Sequence, residues 1–445
     1  MTSAATEPKM SFAKSIEHQR RAHAVIPGGA HTYAKGDDQY PENMCPVIAR
    51  GRGSHVWDLD GNEFIEYGAG VRSITLGHGY KPVVDAAHAA MTDGTNFARP
   101  AAIELAAAEK MLAMIPTAEM IKFGKNGSDA VSGALKIARA YTGREMVMVC
   151  GDHPFFSVDD WFIGVTAMNA GIPEWATKQT VKFKYNDLAS AQALFDQYPN
   201  QIAAIITEAE TGEPPKPNFL HDLQELAHKN GALFVLDETI TGFRWANNGA
   251  QGMYNLKPDL STFGKGMANG FSVSALCGRR EYMELAGISQ RERERCFVLS
   301  LTHGAETPGL AACMATIDAY GATDPIGTMI RQGEKLREGL KQIIAVKGLS
   351  DFIPITGKPQ LVMFGTLDEK RERSQPYRTL FLQELLKRGI ISPSFVVSAA
   401  HSDADIAKTV DAVGEAGEVY QRALNDGVDK HLVGRPVQPV FRKWN

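Results

Sequence analysis

Two residues of complementary chemistry stand close together in the middle of the chain. Leu233-Phe234-Val235-Leu236 is an unbroken apolar run ending in Asp237, the pattern of a strand covered on both faces in a parallel sheet. One strand and turn later, Ser261-Thr262-Phe263-Gly264-Lys265-Gly266 sets a lysine between two glycines, where backbone can turn sharply and another molecule can come close. Open α/β sheets hold their ligands beyond the carboxyl ends of their strands, so both charges fall where a ligand would lie. An amine and a carboxylate on neighbouring strand ends suit pyridoxal phosphate (PLP), the lysine forming a Schiff base with it and the aspartate pairing with its pyridine nitrogen. Taken singly, Asp237 could be a helix cap and Lys265 a solvated loop residue; the pairing carries the chemistry.

A third feature lies upstream. Apolar residues at 131, 134, 135 and 138 follow Asn126-Gly127-Ser128 at helical spacing. The free N–H groups and positive dipole end of such a helix start can bind a phosphate, although from spacing alone Asn126 or Ser128 could simply cap the helix. No GxxxxGK[ST] or complete GxGxxG occurs, which argues against a nucleotide-binding transferase or dehydrogenase. Asp152, His153, Asp159 and Asp160 cluster after the apolar run 146–150, but a lone histidine without a partner at ligand spacing makes no metal site.

The segment from Leu236-Asp237-Glu238-Thr239-Ile240-Thr241-Gly242-Phe243-Arg244 to Thr262-Phe263-Gly264-Lys265-Gly266 resembles the signature of class III (fold type I) aminotransferases. The likeness is greatest to the glutamate-1-semialdehyde aminomutase branch, with Ile26-Pro27-Gly28-Gly29, Trp57-Asp58-Leu59-Asp60-Gly61-Asn62 and Leu76-Gly77-His78 in matching order. The resemblance spans about residues 24–424. It implies an α/β fold of PLP type I: a large domain with a mostly parallel, seven-stranded-type sheet plus a small α+β domain. It further implies that Lys265 serves as Schiff-base lysine and general base, that Asp237 faces the pyridine nitrogen, and that Gly127 and Ser128 hold the phosphate. His153 falls at the position of a ring-stacking tyrosine, with Phe155 and Phe156 as alternative rings. Glu208 matches a glutamate beside the cofactor, the proline after it being replaced by Ala209. Thr302 matches a threonine that reaches the phosphate of the neighbouring subunit, which implies at least a homodimer.

Other departures bear on the substrate. The branch grips its substrate carboxylate with an arginine where this chain has Lys35, and the segment Pro393-Ser394-Phe395-Val396-Val397-Ser398 is too short to hold the branch's glutamate. If the loop residues His31, Thr32, Tyr33, Lys35, Asp37 and Asp38 and the later Arg72 line the pocket, their hydrogen-bonding and mixed charge suit a polar keto or aldehyde acceptor, sugar-like or a keto acid. The expectation is an external aminotransferase acting on a small-molecule amino donor and a carbonyl acceptor; an aminomutase or a related racemase is the alternative.

Chemistry of this kind needs a large scaffold. The chain has 445 residues, 44% of them hydrophobic, enough for a sizeable core and for two domains. Residues 1–70 are expected to join the small domain, 71–320 to form the PLP-binding domain, and 321–445 to complete the small one. The net charge of -4 gives no electrostatic reason to expect nucleic acid or a membrane as partner. Five widely spaced cysteines without a CxxC pair suit a reducing cytoplasm. Residues 1–19 are polar and lack the apolar core of a signal peptide. Alternating strand and helix patterns at 146–150, 202–206, 218–229 and 233–236 predict right-handed crossovers and a parallel sheet. Residues 390–398 read as one strand, and residues 425–445 as an irregular tail that packs on a partner subunit or stays partly disordered.

Overall fold

Short apolar runs become the buried centre of a sheet. In the computed structural model, which describes residues 10–153, 155–210, 212–289 and 292–444, the runs at Met146–Cys150, Ile202–Thr207 and Leu233–Asp237 are strands with every residue buried. They belong to a seven-stranded sheet of β1 (Met120–Gly124), β2 (Met146–Cys150), β3 (Thr180–Phe183), β4 (Ile202–Thr207), β5 (Leu233–Asp237), β6 (Leu260–Phe263) and β7 (Ser274–Gly278), in the order β1-β7-β6-β5-β4-β2-β3. From β6 through β3 all neighbours are parallel; β7 runs antiparallel to both β1 and β6. Helix α1 (Gly127–Thr142) buries Val131, Ala134, Leu135 and Ala138, the face set by its apolar spacing. Helix α2 (Phe219–Lys229) connects β4 to β5 and buries Leu220, Leu223 and Ala227. The mostly parallel seven-stranded sheet is the one expected for the large domain, and it brings the carboxyl ends of β4, β5 and β6 side by side.

The chain divides into two compact units. One comprises Arg72–Thr75, Tyr80–Gly327 and Phe441–Asn445 and holds the sheet; the other comprises Met1–Val71, Leu76–Gly79 and Thr328–Val440. In the second unit, strands His55–Asp58 and Glu63–Glu66 form the expected hairpin. Its turn is pinned by the Asp58 carboxylate, which accepts from the Asp60 and Asn62 N–H groups at 3.0 and 2.8 Å. The core beneath contains Tyr67, Leu336, Leu340, Phe381, Phe395 and Tyr420.

One sequence expectation needs correction here. Residues 390–398 form two short strands, Ile390–Ile391 and Phe395–Val396, in different sheets; Pro393 lies between them and has no N–H for a continuous ladder. The tail packs on its own chain up to about residue 438. Gln383 Nε2 donates to the His431 carbonyl at 2.9 Å, the Val433 N–H to Gln383 Oε1 at 2.8 Å and the Val437 N–H to Thr379 Oγ1 at 2.8 Å. Buried polar side chains on the helix Gln375–Leu386 thus find their partners in the tail backbone. Among the described residues no helix is long and apolar enough to cross a membrane.

Candidate active site

Asp237 ends β5 directly opposite Thr262 of β6, and that register decides its environment. Its Oδ1 accepts from the Thr262 hydroxyl and from the Thr239 N–H, both at 2.9 Å, while the side chain is buried. Lys265 follows three residues beyond Thr262, on the first turn after β6. It sits at φ +45°, a left-handed conformation that is uncommon for a side-chain-bearing residue and concentrates at functional sites. Gly266 makes the turn possible: a Cβ there would lie 2.9 Å from Thr75 Cγ2. Lys265 is held below the ordinary lysine pKa by burial, with Asp237 and Glu208 drawing it back up and Arg72 and Arg244 opposing them.

Glu208 follows β4 and is buried, with no hydrogen-bond partner on Oε2. Burial first, then repulsion from Asp237, raises its pKa, and Lys265 and Arg72 partly offset this. Its N–H donates to His153 Nδ1 at 3.1 Å. That bond assigns the tautomer, because a nitrogen that accepts cannot carry the proton, so the hydrogen is on Nε2. Burial pushes the His153 pKa down to about 4, which keeps the ring neutral at ordinary pH. Of the alternative rings, Phe156 is buried in the core with Phe162, and Phe155 is exposed and packs edge-on against Phe162.

Arg72 reaches the same group of charges: it is partly buried, and its charge couples to Glu208. It closes a left-handed turn in which Ala69, Gly70, Val71 and Arg72 have φ of 47°, 57°, 57° and 70°. Left-handed backbone costs an L-residue about 1–2 kcal/mol, so neighbouring contacts must hold it. One is Arg244, fully buried, whose Nη2 donates to the Arg72 carbonyl at 3.1 Å. Thr262, Thr239 and Arg244 carry no chemical signal of their own in the sequence motifs; the strand register and the left-handed turn give each a role.

At the start of α1 the Asn126 side chain caps the helix by accepting from the Asp129 N–H at 3.2 Å. The Asp129 carboxylate in turn accepts from the Lys125 and Asn126 N–H groups, both at 3.0 Å. The cap therefore uses Asn126 and leaves the Gly127 and Ser128 N–H groups outside it. Ser128 Oγ accepts from the Val158 N–H at 3.2 Å, which turns the hydroxyl proton outward for another acceptor. The remaining candidates are not brought to this group by any contact. Thr302 is exposed, and its carbonyl accepts from Asn96 Nδ2 at 2.9 Å. Tyr33 and Lys35 lie on an exposed single turn of the other unit.

These residues fit PLP. A lysine amine and an aspartate carboxylate stand on adjacent strand ends, a helix start offers uncapped N–H groups, and two buried polar atoms, His153 Nε2 and Glu208 Oε2, lack partners. The family model of the class-III aminotransferases matches residues 37–399. The glutamate-1-semialdehyde 2,1-aminomutase of Acetivibrio thermocellus is 32% identical over 432 residues, covering 91% of this chain and 97% of that protein. Among solved structures, the PLP internal aldimine form of the FumI protein of Sphingopyxis sp. MTA144 superposes with a TM-score of 0.86 at 26% identity, over 96% of this chain and 99% of the other. A β-phenylalanine aminotransferase from Variovorax paradoxus gives 0.78 at 25%, over 92% and 95%. The chain belongs to the class-III aminotransferases and is a PLP-dependent enzyme.

Proposed function

We propose that this enzyme moves an amino group from an amino donor to a separate, polar keto or aldehyde acceptor. The observation that carries the reading is the pairing of Lys265 with Asp237 on adjacent strand ends. Beside them is a guanidinium, Arg72, with no hydrogen-bond partner of its own among the described residues. A partly desolvated arginine of that kind supports recognition of a substrate carboxylate, by two parallel hydrogen bonds. The exposed Lys35, standing where the aminomutase branch has its arginine, supports a different acceptor.

When bound, PLP supplies an electron sink for the charge left on the substrate carbon. Lys265 is the residue that would hold it, and the lysine amine takes and returns the proton at the substrate carbon; a lowered pKa favours the neutral amine a base requires. Asp237, fixed by Thr239 and Thr262, would face the pyridine nitrogen and hold a proton on it. The Gly127 and Ser128 N–H groups would bind the phosphate, and neutral His153 would supply a flat ring for the pyridine. Glu208 adjoins His153 and adds a carboxyl of raised pKa to the same wall. The working unit in this reading is a homodimer in which the exposed Thr302 reaches the neighbour's phosphate. A reducing cytoplasm belongs to it too, supported by five free thiols.

The test is a panel of keto acids, aldehydes and keto-sugars offered to the purified holoenzyme with common amino donors. Transfer to an external acceptor is expected. Efficient conversion of glutamate-1-semialdehyde to 5-aminolevulinate without any external transfer would instead establish the aminomutase alternative, which the Acetivibrio relative favours.

A further inference from the structure

Thr239 has a buried hydroxyl that the site as described leaves idle. Its N–H is committed to Asp237 Oδ1, but Oγ1 has no hydrogen-bond partner, although the residue is only 6% exposed. Buried hydroxyls are almost always bonded, and an idle one calls for an explanation. Its location supplies one. A Cβ built on Gly127 would lie 3.0 Å from Thr239 Cγ2 and 3.1 Å from Oγ1. A Cβ on Gly264 would lie 3.4 Å from Thr239 Cγ2 and 3.9 Å from the Gly127 nitrogen. The Thr239 side chain therefore occupies the space between the first residue of α1 and the glycine that precedes Lys265.

The start of α1 is where the Gly127 and Ser128 N–H groups stand outside the helix cap. An acceptor-only dianion placed there meets the helix dipole and two backbone donors. The Thr239 hydroxyl borders that position and needs an acceptor. We infer that Thr239 Oγ1 is a ligand of the cofactor's phosphate monoester, donating a hydrogen bond beside those of Gly127 and Ser128. The inference rests on the reading that Gly127 and Ser128 hold the phosphate. It also makes one residue serve both ends of the cofactor, its N–H fixing the aspartate that faces the ring nitrogen and its hydroxyl binding the phosphate.

The test is Thr239→Val, which keeps the shape and removes the hydroxyl, with Thr239→Ser as the variant that keeps the hydroxyl. Each protein is stripped of cofactor and titrated with PLP and, separately, with pyridoxal, which lacks the phosphate; ³¹P NMR of the holoenzyme reads the phosphate directly. Loss of a hydrogen bond to a charged group should weaken PLP binding about tenfold in Thr239→Val. Pyridoxal binding should be unchanged, the phosphorus resonance should move, and Thr239→Ser should restore most of the affinity. Equal PLP affinity in Thr239→Val and the parent protein overturns the inference, as does an equal loss for PLP and pyridoxal. Ser128→Pro, which removes that N–H in the first helical turn where proline is tolerated, separates the two levels. If it weakens PLP binding while Thr239→Val does not, only the Thr239 assignment fails. If neither variant weakens it, the phosphate lies elsewhere and the underlying reading falls too.

Discussion

Asp237→Asn is the substitution whose consequences the geometry defines most fully. Both hydrogen bonds that Asp237 accepts fall on Oδ1, from the Thr239 N–H and the Thr262 hydroxyl. An asparagine carbonyl can accept the same two, so the local fold should survive and the melting temperature should change little. What is lost is the negative charge. A hydrogen bond to a charged group contributes about 1.5–3 kcal/mol. At about 1.4 kcal/mol per factor of ten in rate, weakening that bond at the ring nitrogen should slow the half-reaction by roughly ten- to a hundred-fold. The charge also acts on its neighbours: repulsion from Asp237 helps raise Glu208, and attraction from Asp237 helps raise Lys265. Both pKa values should fall in the variant, moving the acid limb of the rate profile to lower pH. The assay is stopped-flow absorbance of the holoenzyme with saturating amino donor across pH 6 to 9, alongside PLP content and a thermal melt. An unchanged half-reaction rate at full PLP occupancy would refute the reasoning. So would a rate loss matched by a large drop in melting temperature, since the aspartate would then be structural.

Lys265→Ala should abolish turnover and covalent fixation of PLP by borohydride, while non-covalent PLP binding persists; near-normal activity would end the central assignment. Glu208→Gln should flatten the pH dependence of stability in cofactor-free protein. The folded-state pKa of Glu208 is raised from 4.5 to about 8, so between those values the unfolded chain binds fewer protons and parent stability falls as pH rises; equal slopes in melting temperature from pH 5 to 8 would contradict this. Arg72→Ala should raise KM for an acidic acceptor several-fold with little change in PLP retention, and an unchanged KM would remove Arg72 from the pocket. Thr302→Ala should weaken PLP retention in a dimer, whereas a fully active, PLP-loaded monomer in sedimentation would exclude the shared phosphate site.

The parts of this molecule legible in the sequence are those whose signal is local. The apolar runs ending at Asp237 and Thr207, and the helix after Asn126, are each specified within a few residues by periodicity and end signals. What was not legible depends on pairing across the chain. Strand β7, Ser274-Ala275-Leu276-Cys277-Gly278, is made largely of small residues with little strand propensity of their own. It is a strand because β1 and β6 hydrogen-bond to it on both sides. Thr262 could be quoted with the lysine motif, but its bond to Asp237 follows from the register of two parallel strands. Three of the four left-handed residues in 69–72 carry side chains, Ala69, Val71 and Arg72, so no run of glycines marks that turn in the sequence. Their conformation is supported from far along the chain, by Arg244.

Hydrogen-bond partners sort the buried charges of this site better than burial does. Glu238 is as buried as Glu208, and its pKa is likewise raised, to about 7. Its carboxylate, however, accepts from the Thr241 hydroxyl and from the Ala250 and Gln251 N–H groups, so it is occupied in holding the turn after β5. Glu208 Oε2 has nothing to accept, and Lys265 Nζ has no hydrogen-bond partner among the described residues. Asp237 accepts from two donors. Leaving a polar group unbonded in a protein interior costs about 1–3 kcal/mol, so a chain that tolerates several together needs a bound molecule to satisfy them. The idle atoms include an amine, a carboxyl oxygen, an imidazole N–H and a threonine hydroxyl. A ligand that satisfies them all must combine an electrophilic carbon, a hydrogen-bonding ring and an acceptor-rich anion, and PLP carries all three in its aldehyde, its pyridine and its phosphate.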